Sequence, residues 1–390
     1  MERRIAHLDM DAFYASVELL RYPQLKGLAV VVGGGRYSGF DSGTDVARFP
    51  RLRDYVGRGV ATTASYEARK LGVHSAMGLM KAAALAPDAI LLPADFDQYR
   101  RYSRSFKTAV AEIAPHIEDR GIDEIYIDLT HVAGETKELA QRIKNNVRLA
   151  TGLSCSIGVT PNKLLAKIAS DLEKPDGLTI LTHADLSSRV WPLPVRKING
   201  VGPKATLKLE GIGIRTIGEL AHAPAALLVQ HFGNHYGHWL SAAANGHDDR
   251  PVVTESEPKS ISRETTFERD LDPRRDREAL SRILIALCDR LSADLERKGY
   301  VAKTIGVKLR YDDFRIVTRD NTLVSPIQQS QAILAAAREC IKRAPLDRRL
   351  RLLGIRAGSL LRPGEASASD NSKDHRLGVK VEGENLRLFD

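Results

Sequence analysis

Two acidic elements carry the chemistry this sequence can do. Gly121-Ile-Asp-Glu-Ile-Tyr-Ile-Asp-Leu-Thr130 sets adjacent carboxylates, Asp123 and Glu124, at the head of a short apolar run that reads as a strand. His7-Leu-Asp-Met-Asp-Ala-Phe-Tyr14 sets Asp9 at the end of another such run. Two strand ends meeting in one sheet would gather three carboxylates, a hard oxygen set of the kind that holds divalent cations. A pair of such ions is what phosphoryl transfer from a nucleoside triphosphate most needs. Together with the basic features below, this points to metal-dependent chemistry on nucleic acid.

The elements that must position these groups come from a chain of 390 residues, enough for two to four domains. Apolar content of 43% and charged content of 27% are those of a soluble globular protein. The net charge of +9 makes a polyanionic partner plausible, although a generic basic protein would carry it too. No apolar run is long enough for a transmembrane helix, and the N-terminus lacks the apolar core of a signal peptide. The expected setting is therefore a cytoplasm without membrane contact. Cys155, Cys288 and Cys340 are isolated and odd in number, which gives neither a disulfide framework nor a metal cluster.

Strand and helix signals alternate to about residue 183: strands at 5–8, 122–129 and 154–159, helices from Ala15, over Leu139, Ile143 and Val147, and over 162–172. Residues 19–95 interrupt this domain as a small insertion, with a glycine-rich, irregular stretch over 33–59 read as a mobile surface loop. Residues 184–248 read as helical with two short hairpins. Gly200-Val-Gly202, followed by Lys204, and Gly211-Ile-Gly213 each resemble a turn opening a helix, which would aim backbone N–H groups at a DNA phosphate. Two ordinary helix turns are the bland alternative. Residues 249–258, with Pro near both ends, read as an exposed linker.

Residues 259–360 read as strand, helix, strand, strand, helix, strand, with helices at 276–298 and 326–343. Val301, Ile305, Val307 and Leu309 share one strand face with Lys303, and Lys308 and Arg310 the other; Arg315 and Arg319 share a face of the next strand. The expectation is an α/β sandwich with one basic sheet face laid along DNA backbone, against the alternative of a merely solvated face. The tail from Arg362 is Gly/Ser/Asp/Lys-rich and reads as disordered, ending in Asn385-Leu-Arg-Leu-Phe-Asp390.

Four blocks resemble, in order, the motifs of the Y-family DNA polymerases: His7 to Glu18, Ala64 to Met77, Gly121 to Asp128, and Ser156 to Gly177. The likeness covers about residues 1–360 and is nearest the DinB-like, DNA polymerase IV branch, particularly in Ala-Lys-Ile-Ala-Ser-Asp-Leu-Glu-Lys-Pro175. It implies an α+β multidomain right hand: a palm at 1–18 and 96–183, fingers at 19–95, a helix-hairpin-helix thumb at 184–248, the linker at 249–258, a βαββαβ little finger at 259–360 and a tail at 361–390. It implies a template-directed, low-fidelity translesion polymerase in damage tolerance, acting on primer-template DNA and dNTPs, and working as a monomer.

The resemblance also assigns residues. Asp9, Asp123 and Glu124, with the Met10 carbonyl, would hold two Mg²⁺ ions, Mn²⁺ being able to substitute. Asp11 and Asp128 read as surface or supporting charge. Tyr66, Arg69 and Lys174 would contact the triphosphate. Tyr14 would exclude the 2′-hydroxyl, and Phe13 would pack under the base or in the core. Gly200, Gly202, Lys204, Gly211, Gly213, Lys308, Arg310, Arg315 and Arg319 would meet DNA. Asn385, Leu386, Leu388 and Phe389 resemble the peptide that binds the bacterial sliding clamp, with Asn where Gln is usual. Two other classes compete. A catalytically inactive, clamp-binding paralogue should lack an acidic residue, and a nucleotide cyclase on a similar palm would have no use for a helix-hairpin-helix segment.

Overall fold

Strand β1 (Ile5–Met10) lies between β6 (Glu124–Asp128) and β7 (Cys155–Thr160), antiparallel to both. With β5 (Ile117–Asp119) and β8 (Leu178–Ile180) outside them, the sheet order is β5-β6-β1-β7-β8. In this computed structural model, residues 3–34 and 39–363 are described. The chain divides into two units at Glu255/Ser256.

The central strands are buried on both faces, and period-two alternation sorts their side chains. Ala6, Leu8, Met10, Ile125 and Ile127 enter the core formed with α4 (Phe96–Ala111) and α5 (Thr136–Thr151). Ile5 and Tyr126 face the other way, onto Ala166 of α6 (Lys163–Leu172). Gly158 of β7 permits the close approach of α6, because a Cβ there would stand 2.3 Å from the Ser170 nitrogen and 2.4 Å from the Ala166 oxygen.

Between β1 and β5 the chain forms α1 (Phe13–Arg21) and a three-stranded sheet ordered β3-β2-β4, from β2 (Val30–Gly33), β3 (Ala61–Ala64) and β4 (Ile90–Leu92). Helices α2 (Tyr66–Lys70) and α3 (Leu79–Leu85) accompany it. The stretch expected as a free surface loop is more ordered than that. Its described part contains 3₁₀ turns at Val46–Arg48 and Leu52–Asp54, and Phe49 and Leu52 are buried at 2% and 0% exposure. Apolar anchors packed against Tyr22, Leu25 and Val31 outweigh the glycine-rich composition.

Residues after β8 form α7 (Pro203–Glu210), α8 (Ile217–His222), α9 (Ala225–Phe232) and α10 (Asn234–Ala244), whose core includes Leu164, Leu165 and Ile168 of α6. The expected free linker is fastened at its start. Asp248 accepts from the Leu164 amide, and Glu118 accepts both from the Lys163 ammonium and from the Val253 amide. Glu118 and Lys163 are 6% and 5% exposed, a buried pair that would leave an uncompensated charge if either partner were lost.

The second unit holds β9 (Ser260–Leu271), α11 (Arg277–Lys298), β10 (Val301–Tyr311), β11 (Ile316–Ile327), α12 (Ser330–Lys342) and β12 (Leu350–Leu361), in the expected βαββαβ order. Its sheet is ordered β11-β10-β12-β9, antiparallel throughout. Ile305, Val307 and Leu309 join the helices' core as expected, but Val301 does not. Tyr300 and Ala302 take that place, and the strand changes phase before Ile305, where pairing with β11 is irregular. No helix among the described residues is long and apolar enough to cross a membrane.

Candidate active site

The β1–β6 register sets Asp9 directly opposite Glu124, so both carboxylates leave the same sheet face, toward α6. Asp123 precedes β6 and is tied to β1, its carbonyl accepting from the Met10 amide at 2.9 Å. All three sequence-assigned carboxylates therefore converge at one corner. Burial first, then the charges of Asp9 and Glu124, push the Asp123 carboxyl above the usual carboxylate range. Glu124 goes the other way: a hydrogen bond from His7, helped by the Lys167 ammonium, holds it down to about 2. His7 is fully buried, which depresses its pKa and keeps it neutral; its Nδ1 lies 2.8 Å from Ser170 Oγ and its Nε2 3.5 Å from Glu124.

The fit of these residues to divalent cations can be judged from the charges already there. Lys174 Nζ lies 2.7 Å from Asp9 and 3.0 Å from Asp171, and the Lys167 ammonium sits on Glu124. Burial pulls the Lys174 ammonium down, but the two aspartates outweigh it and raise it above the ordinary lysine range. A carboxylate cluster that draws in cations and still leaves Asp123 destabilised in its charged form suits hard divalent ions.

Sequence reasoning missed His7, Lys167 and Asp171. Helical spacing carried a signal for two of them, since Lys163, Lys167 and Asp171 recur every four residues along one face of α6.

Of the two readings of Asp11, surface or supporting charge, the structure bears out the second. The residue is 2% exposed and accepts from Ser154 Oγ, Ser156 Oγ and the Asp176 amide, each at 2.8 Å. The Lys144 ammonium donates to the carbonyls of Cys155, Asp176 and Gly177. These contacts pin the turn that follows Lys174 to the start of β7. Asp128 caps the turn after β6, accepting from the Thr130 amide at 2.9 Å.

Between β1 and α1, Ala12 adopts a left-handed conformation at φ 43°, and α1 begins without a side-chain cap. Among the described residues no side chain caps its first N–H groups, and an uncapped helix start favours negative charge nearby. Asp9, Met10, Phe13, Tyr14, Arg69, Asp123 and Lys174 line one recess with Ala12, Thr62, Thr63 and Ser75. Tyr66 starts α2; its hydroxyl is buried without a hydrogen-bond partner among the described residues, and burial, then Asp11, pushes it up to about 12. Arg69 lies over the Tyr66 ring at 4.9 Å and donates from Nε to the Ala64 carbonyl. Tyr14 is half-buried, raised by burial and by Asp123, and set in an aromatic wall with Phe13, Phe96 and Tyr99. Phe13 is 2% exposed and belongs to the core.

The remaining assignments divide. Gly202 does open a helix, as N-cap of α7 with Pro203 at its first position. Gly200, at φ 112°, has no room for a side chain, because a Cβ would meet Trp239 at 2.7 Å, and its carbonyl accepts from Tyr236. Lys204 is exposed beside them. Gly211 and Gly213 do not open a helix: Gly211 closes α7, and α8 starts later, where Thr216 and Glu219 form a capping box.

Nor do the four cations of the second unit share one face. Lys308 and Arg310 lie on the sheet face away from the helices. Arg319 pairs opposite the core residue Val307 and donates to the Arg343 carbonyl just beyond α12. Arg315 precedes β11, its guanidinium 5.2 Å from the Tyr311 ring centre. The open face is mixed in charge: Lys308 pairs with Glu264 at 2.8 Å, and Arg356, unassigned from sequence, with Asp320 at 2.9 Å. Asn385, Leu386, Leu388 and Phe389 lie outside the described residues.

Comparison with known proteins gives this arrangement its class. The model of the impB/mucB/samB family matches residues 8–171, and that of the family's C-terminal domain matches residues 258–372. A protein named DNA polymerase IV from Alkalilimnicola ehrlichii is 38% identical, covering 92% of this chain and 96% of the relative. One of the same name from Halorhodospira halophila is 39% identical over 92% and 95%. A solved Y-family DNA polymerase chimera of Dbh and Dpo4 superposes with a TM-score of 0.77 at 27% identity, covering 92% of this chain and 99% of its own. The chain belongs to the impB/mucB/samB family, the Y-family DNA polymerases, and within them to the DNA polymerase IV branch. It is a DNA-directed DNA polymerase of α+β right-hand architecture.

Proposed function

We propose that the chain extends a primer by adding dNTPs opposite a template, and that Asp9, Asp123, Glu124 and the Met10 carbonyl would hold two Mg²⁺ ions for this reaction. The observation that carries this is the convergence of Asp9, Asp123 and Glu124 at one sheet corner, with lysines drawn onto two of them. When bound, the ions supply charge neutralisation and a lowered pKa for the primer hydroxyl. The chain's own groups do the rest. Tyr66, Arg69 and Lys174 orient the triphosphate, Lys174 being already ordered beside Asp9 by the pinned turn behind it. Tyr14 closes the space beneath the sugar. His7 and Lys167 hold Glu124 ionised, ready for a cation.

In this reading residues 1–18 and 96–183 are the palm, 19–95 the fingers, 184–248 the thumb and 259–360 the little finger. Gly200, Gly202 and Lys204 of the thumb, with Lys308 and Arg310 of the little finger, approach DNA backbone. The enzyme works as a cytoplasmic monomer in damage tolerance, with low fidelity. The test is single-dNTP primer extension in Mg²⁺, with and without chelator. Addition of only the complementary nucleotide, stopped by the chelator and restored by Mg²⁺ or Mn²⁺, is expected. DNA binding without any addition would favour an inactive adaptor, a reading that the three intact carboxylates argue against.

The tail peptide Asn385-Leu-Arg-Leu-Phe389 is proposed to dock on the sliding clamp, raising the local concentration of enzyme at the primer end. Deleting residues 385–390 should spare synthesis on short primers and remove clamp stimulation. Undiminished clamp-dependent synthesis would rule the peptide out.

A further inference from the structure

The aromatic wall around Tyr14 hangs on one buried polar pair. Tyr99 of α4 is fully buried, and its ring stacks on Tyr14 with centroids 4.4 Å apart and planes inclined by 26°. Phe96 meets both rings edge-on, at 5.9 Å from Tyr14 and 5.7 Å from Tyr99. Stacking is tolerant of sliding, so contacts between rings alone would leave Tyr14 loosely placed. The Tyr99 hydroxyl removes that freedom by donating to Glu18 Oε1 at 2.6 Å. Glu18 lies on α1, four residues and one turn beyond Tyr14, so the two side chains share a helix face. One helix thus carries both the Tyr14 ring and the acceptor that anchors its stacking partner.

Glu18 is 3% exposed, and an apolar side chain of similar volume would avoid its desolvation cost. Packing therefore gives no reason for a carboxylate at that position, whereas a short charge-assisted hydrogen bond to Tyr99 does. Arg21, which pairs with Asp95 at 3.3 Å, also bears on Glu18 as a nearby cation, more weakly than the Tyr99 hydrogen bond.

We infer that Tyr99, anchored by Glu18, is a positioning residue that sets the place of the Tyr14 ring and thereby the discrimination between deoxyribose and ribose. The inference rests on Tyr14 being the sugar gate.

The test measures kcat/KM for single insertion of dCTP and rCTP opposite dG by the full chain, in wild type, Tyr14→Ala, Tyr99→Leu, Tyr99→Phe and Glu18→Gln. The readout is the dCTP/rCTP ratio, which a defect in folding or general packing would leave unchanged while lowering both rates together. Tyr99→Leu should reduce the ratio roughly tenfold, mainly through a lower KM for rCTP. Tyr99→Phe, which keeps the ring and loses the anchor, should fall between wild type and Tyr99→Leu. Glu18→Gln, which keeps an acceptor oxygen but loses the charge, should fall between wild type and Tyr99→Phe. A ratio changed by Tyr14→Ala but untouched in Tyr99→Leu and Tyr99→Phe overturns the inference. A ratio untouched by Tyr14→Ala overturns the gate itself. Where Tyr99→Leu fails to fold, the ratio in Tyr99→Phe decides.

Discussion

Asp123→Ala should abolish primer extension, by roughly a thousandfold or more, while primer-template affinity stays within about threefold of wild type. The reason lies in the distribution of charge at the corner of the sheet. Glu124 is stabilised by His7 and Lys167, and Asp9 by Lys174, so each has a partner before any metal arrives. Asp123 is the carboxylate left paying electrostatically, raised by burial and by its two acidic neighbours. That makes it the group with most to gain from a divalent cation and least to lose from removal. The sign for stability follows. A carboxyl whose folded pKa is raised costs stability above that pKa, and the cost fades as pH falls through it. In chelator at neutral pH, Asp123→Ala should therefore melt no lower than wild type, and in excess Mg²⁺ it should lack the wild-type rise in Tm. Extension, gel mobility shift and thermal melting together check this. Retained extension would take Asp123 out of the metal site, and a large fall in Tm would mean that its role is structural.

Tyr14→Ala should lower the ratio of kcat/KM for dNTP over rNTP by about a hundredfold. A ring lining the recess, with Phe13, Phe96 and Tyr99 packed around it, has little room to retreat from a 2′-hydroxyl, so the clash is borne by the nucleotide. Alanine removes the obstruction without adding a donor or acceptor, so the change should appear as a lower KM for rNTP. The check is steady-state insertion of matched nucleotide pairs. An unaltered ratio would leave ribose exclusion to some other group.

The carboxylates show how much of the site was legible in the linear chain. Asp9, Asp123 and Glu124 sit at the ends of short apolar runs, and strand periodicity alone tells which neighbours share their face. The βαββαβ order of residues 260–361 followed from alternation and helix spacing in the same way. Arg319 shows the limit. Its type suits a DNA backbone, yet the register opposite Val307 turns it toward the end of α12. Register depends on pairing between distant segments, and a shift of one residue moves every side chain to the other face. Gly211 and Gly213 fail for a related reason, because Thr216 and Glu219, further on, decide where α8 begins.

The sequence by itself determined the local periodicities and the placing of Asp9, Asp123 and Glu124 at strand ends, because these depend on residue type and on neighbours a few positions away. Only the tertiary structure decided that Asp11 is a buried anchor, that Lys167 and His7 support Glu124, that Glu118 and Lys163 fasten the chain after α10, and that Tyr99 and Glu18 back Tyr14. Each of these joins residues far apart along the chain, and a buried charge or hydroxyl takes its meaning from the one partner that folding brings within hydrogen-bond reach.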